Sequence, residues 1–111
     1  MNENMKTGPV TFEESVDLAL AELKSTLLKK HHDYGSKNIL EFKDVGVLIR
    51  LNDKLARMKN LYGITDNSYQ RKTSANESIE DTWKDVAGYG LIGLMLHKDI
   101  FDRPTLKEIG E

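Results

Sequence analysis

Residues 77–96 read ESIEDTWKDVAGYGLIGLML, and two lines run along this stretch when it is wound as a helix. At about 100° per residue, Ile79, Trp83, Val86, Ala87, Gly90 and Leu94 fall on one apolar stripe, the pattern of a helix packed on a core. The second line begins with Glu77, Asp81 and Asp85 and continues into Gly88, Ile92 and Met95 or Leu96. The C-terminal half of the helix is therefore apolar nearly all round. That predicts burial on more than one side and carries the carboxylate line toward the interior. Carboxylates in such a place need compensation, from a divalent cation, a basic partner or a raised pKa.

Composition narrows the classes. A chain of 111 residues with 39% hydrophobic content and two prolines predicts one small domain with a modest core. Sixteen basic against eighteen acidic residues give a net charge of -2, with no run of Lys or Arg, so nonspecific nucleic-acid binding is not favoured. The absence of cysteine excludes disulfides, thiol chemistry and zinc-thiolate sites. No signal-peptide pattern and no bilayer-length apolar run are present, which predicts a cytoplasmic protein without a membrane partner.

Outward from the central stretch, residues 1–10 read as a flexible arm, 11–99 as a single helical domain and 100–111 as a tail. Thr11 and Glu14 have capping-box spacing, and Phe12, Val16, Ala19, Leu20, Leu23 and Leu27 form the stripe of a first helix reaching about Lys30. His31, His32 and Gly35 then read as helix-stop chemistry, with the histidines as dipole partners. The sharper reading puts His31, Asp33 and Tyr34 at a pocket mouth, with Tyr34 stacked on a base and His31 or Asp33 touching phosphate or metal-bound water. Residues 36–45 read as a polar connection. A second helix is predicted from Gly46 to Tyr62, since Leu48, Leu51, Leu55 and Met58 alternate threes and fours.

The polar side of that helix carries Arg50, Asp53, Lys54, Arg57 and Lys59. It is either a solvated face with the pair Asp53–Arg57, or a face turned toward the carboxylate line. In the second case Lys54 and Arg57 bind phosphate and Asp53 adds a metal ligand. Residues 63–76 read as a loop whose Arg71 and Lys72 either close over a phosphate or are solvated. Ser74 with Glu77 makes a second possible capping box, leaving Glu77 either a structural residue or a ligand. Trp83 belongs to the apolar stripe and reads as core, with base packing as its other role. In the tail, Ile100 and Phe101 are the side chains that could tuck in.

The ordered set HHDYGSKNI, VLIRLNDKLARMKNL and ESIEDTWKDVAGYGLIGL, spanning roughly residues 28–96, resembles the mostly phage-borne family called the nucleotide modification associated domain, first type. More distantly, the acidic helix is similar to the MazG-like all-α NTP pyrophosphohydrolases. Those enzymes hold magnesium with acidic pairs on two helices and release pyrophosphate from a nucleoside triphosphate. The spacing from Asp81 to Asp85 departs from their Glu-x-x-Asp pattern.

The resemblance implies a nucleotide-binding, magnesium-dependent NTP pyrophosphatase-like hydrolase in the host cytoplasm. Asp81, Asp85 and Glu77 would be catalytic, and Glu80 and Asp53 would join them around magnesium. Tyr34, His31, Asp33, Lys54, Arg57 and Lys84 would hold the substrate. Two other classes stand beside it: a non-catalytic phage protein that sequesters a nucleotide, and a helical interaction module whose acidic line pairs with Arg50, Lys54 or Arg57. The expected fold is an all-α, antiparallel bundle of three main helices completed by dimerisation or a larger homo-oligomer. The helix at 77–96 would sit central to that interface, with a pocket built from both chains.

Overall fold

The computed structural model describes residues 8–64 and 76–110, and for residues 76–78 the backbone alone. The residue 1–7 arm, the predicted loop with Arg71 and Lys72, the Ser74 cap and the side chain of Glu77 lie outside the described part. Three helices make up the chain in order: α1 (Phe12–Tyr34), α2 (Lys37–Leu61) and α3 (Asn76–His97). The all-α expectation holds.

The capping box at the start of α1 forms as predicted. Thr11 Oγ1 accepts from the Glu14 amide at 3.1 Å, and Glu14 Oε1 accepts from the Thr11 amide at 2.9 Å. α1 runs past the expected Lys30, through both histidines to Tyr34, and stops as expected at Gly35, with φ 74 and its amide donating to the His31 carbonyl. Histidines and a tyrosine carry no strong helix-breaking term. The stop is therefore set by glycine, the residue that tolerates positive φ.

The predicted polar connection at 36–45 is instead the first part of α2. That helix is broken by a kink at Lys43, whose φ of 53 and ψ of -138 are non-helical. Gly46 sits just past the kink, where a Cβ would lie 2.6 Å from Phe42 Cβ. Only glycine permits so close an approach of the two turns.

α2 and α3 form an antiparallel pair, with Tyr62 beside Trp83, Arg57 beside Thr82 and Lys54 beside Asp85 along the seam. Ile39, Val47 and Ile92 make the core cluster, with Leu27, Tyr89, Met95, Leu96 and Phe101 packed against it. Phe101 is thus tucked in, while Ile100 stays 40% exposed. α1 contributes no fully buried residue and touches α3 over a much shorter stretch than α2 does.

Of the two lines of α3, the carboxylate line turns inward as expected, whereas most of the apolar stripe faces outward. Gly88 and Ile92, continuing the carboxylate line, are buried. On the other line Ile79 is buried, but Trp83 and Leu94 are 53% and 51% exposed and Ala87 and Gly90 are also exposed. Trp83 is therefore not a core residue. Its indole donates to the Tyr62 hydroxyl at 3.0 Å across the surface seam. A helix with two apolar sides can turn either one inward, and periodicity alone does not choose between them.

Candidate functional site

A cleft of about 940 Å³ opens between α1, the α2–α3 pair and the segment after α3. Its apolar wall includes Leu27 from α1, Ile39 from α2, Tyr89 and Ile92 from α3, and Phe101 beyond it. Its polar wall is strongly cationic. α1 supplies Lys24 and Lys30, α2 supplies Arg50 and Lys54, and α3 supplies Lys84. The C-terminal segment adds Arg103 and Lys107. Among the described residues Asp85 is the one carboxylate in the lining, so seven lysines and arginines face a single acid in a chain of net charge -2.

That acid is already paired. Lys30 of α1 donates to Asp85 Oδ1, and Lys54 of α2 approaches Oδ2 at 3.0 Å. The Asp85 side chain is 15% exposed. Burial pushes its carboxyl up, but the hydrogen bonds and charges of Lys30 and Lys54 outweigh that and hold it below the ordinary aspartate value. One ionised carboxylate thereby joins all three helices. Lys84 reaches Glu22 of α1 at 3.7 Å and Glu80 at 3.5 Å, both more exposed than itself.

The mouth of the cleft involves the end of α1. His31 is half-buried and meets Phe101 edge-on, with ring centroids 5.8 Å apart and planes at 87°. His32 Nε2 lies 3.3 Å from Lys107 Nζ. Tyr34 is 75% exposed and lies on the cleft lining, as a side chain free to fold over a ligand would.

Of the residues singled out from sequence, His31, Tyr34, Lys54, Lys84 and Asp85 come together in this lining. Asp33, Asp53, Arg57, Glu80 and Asp81 are exposed and lie off it. Arg57 instead donates to Thr82 Oγ1 at 3.4 Å, at the α2–α3 seam. Arg50, Lys30 and Arg103 belong to the lining without having been assigned to a ligand from the sequence. For Arg50 the signal was present, since it stands one turn before Lys54 on the same face; Arg103 comes from the tail, which no periodicity could place.

The described carboxylates do not fit a magnesium set. Asp85 has both oxygens on lysines, Asp81 is outside the cleft, and no group of three His, Cys, Asp or Glu among the described residues could hold a metal ion. No helix among the described residues is long and apolar enough to cross a membrane. No protein-family model matches the chain, and no curated protein and no solved structure matches it.

Proposed function

We propose that this protein binds a nucleotide in the cleft between α1 and the α2–α3 pair, and does so as a homo-oligomer. The observation that carries the reading is the lining itself, with seven cationic side chains against one carboxylate among its described residues, beside an apolar wall of Leu27, Ile39, Tyr89, Ile92 and Phe101. A ligand matched to it carries several negative charges on one part and a flat apolar body on another. A nucleoside di- or triphosphate has that division, and 940 Å³ lies in the range that encloses such a molecule. The resemblance to the phage-borne nucleotide modification family supports the same substrate class.

Binding without turnover is the form of this function that the geometry favours, because Asp85 serves as counter-ion to Lys30 and Lys54. The pyrophosphohydrolase reading rests on the resemblance and stays with Glu77, Asp81 and Asp85. One experiment separates them. Titration with a panel of ribo- and deoxynucleoside triphosphates, with and without magnesium, is followed by calorimetry and by pyrophosphate release. The expected result is saturable binding without magnesium, weakened about tenfold by Arg50→Ala or Lys54→Ala. Magnesium-dependent pyrophosphate release abolished by Asp81→Ala and Asp85→Ala would establish the hydrolase instead. Absence of binding by every nucleotide would leave the cleft to a different anion.

A further inference from the structure

The segment after α3 returns to the end of α1 and is held there at two points. α3 stops where Asp99 takes a φ of 60 and the Ile100 amide donates to the Met95 carbonyl at 2.9 Å, which turns the chain off the helix axis. Phe101 then packs on the core cluster and meets the His31 ring edge-on, and Lys107 Nζ lies 3.3 Å from His32 Nε2. Thr105 and Glu108 close a turn of their own within the segment. The Thr105 amide donates to Glu108 Oε1 at 2.7 Å, and the Glu108 amide donates to Thr105 Oγ1 at 3.1 Å. Arg103 stands between the two anchors, exposed, on the cleft lining.

Pairing divides the cations of the lining. Lys30 and Lys54 are held by Asp85, and Lys84 by Glu22 and Glu80. Lys24, Arg50, Arg103 and Lys107 form no ion pair among the described residues, so a ligand meets their charge undiminished. Depth divides these in turn. Arg50 is half-buried, whereas Lys24, Arg103 and Lys107 are exposed at the rim. The deepest part of the apolar wall is Ile39 and Ile92, both buried, so the apolar body of a ligand goes inward and its anionic chain runs out to the rim. We propose that Arg103 and Lys107 bind the outermost phosphate of a nucleoside polyphosphate, so that the segment after α3 sets the preference for a triphosphate over shorter chains. This deepens the nucleotide reading and rests on it. Arg103 offers a planar fork that takes two phosphate oxygens at once, and Lys107 adds a point charge beside it. The contact of Phe101 with His31 keeps both cations at the rim.

Calorimetry on the full chain tests it, with a purine and a pyrimidine nucleoside each offered as mono-, di- and triphosphate at fixed ionic strength without magnesium. Wild type is compared with two double variants. One joins Arg103→Gln to Lys107→Gln; the other joins Lys59→Gln to Lys98→Gln and removes the same charge from positions off the lining. All of these side chains are exposed, so the fold is kept, and unchanged helical circular dichroism verifies it. The expected result for the first variant is triphosphate binding at least about tenfold weaker, with monophosphate binding within about twofold of wild type. The second variant should follow wild type. A loss shared equally by all three phosphate lengths overturns the proposal, as does an equal loss in the second variant. If wild type binds nucleotides and the first variant keeps the same preference for triphosphate, the proposal falls and the nucleotide reading stands. If wild type binds none of them, both fall together.

Discussion

At Asp85, burial and pairing pull on one proton in opposite directions, and the two lysines prevail. Because its folded-state pKa lies below the ordinary value, the pairing contributes stability above the unfolded aspartate pKa and loses it as pH falls through the folded one. Asp85→Asn is therefore expected to lower stability by about 1 kcal/mol at pH 7, since Lys30 and Lys54 are themselves partly exposed. The gap between the variant and wild type should narrow as pH falls below the ordinary aspartate value, in urea denaturation run across pH. The same variant should bind anionic ligands more tightly, because it frees two lysines of a competing charge. A carboxylate acting in catalysis would show the opposite, a loss of turnover. Asp85 was singled out from sequence for its place on a line entering an apolar helix end. Its partners were only half legible: Lys54 stood out on a charged face, whereas Lys30 sat in what reads as a helix terminus, and pairing across 55 positions leaves no local pattern.

Among the elements, α2 departs most from its sequence pattern. Apolar periodicity from Gly46 onward was clear, but residues 37–45 carry no stripe, since their helical turns are directed by a kink and not by a continuous face. Lys43 holds a positive φ of 53, where a side chain is strained. Lys43→Gly should accordingly raise the melting temperature, by the equivalent of about 1 kcal/mol. Gly46→Ala should destabilise by about 1–3 kcal/mol, because its Cβ would meet Phe42 Cβ at 2.6 Å and that atom moves only with the backbone. Equilibrium denaturation of the two variants checks both signs. α1 was readable at both ends, since Thr11 and Glu14 form the expected box and the stop falls at Gly35 with His31 and His32 in the last turn; only its length was underestimated, by about one turn. Thr11→Ala should cost about 1 kcal/mol, seen as faster amide exchange in the first turn of α1.

For the whole molecule, the interior lies mainly between α2 and α3, and α1 contributes no fully buried residue to it. Five buried apolar side chains, Ile39, Val47, Met58, Ile79 and Ile92, with Thr82 among the buried polar groups, make a small core among the described residues. If the chain works as a homo-oligomer, as proposed, its melting temperature should fall by several degrees on hundredfold dilution. A melting temperature independent of concentration would speak for a monomer. The fold class was legible because helix periodicity is local; which side of α3 faces inward was not, because that choice depends on what the other helices cover.

Asp85 gives the cleft a resident anion that cannot diffuse away. A singly charged visitor such as chloride or acetate would exchange one negative charge for another and gain little. A molecule bearing several charges can engage the remaining cations and recover what the displaced carboxylate gives up. The cleft thus carries a built-in charge threshold, one that filters ligands by valence before shape is consulted.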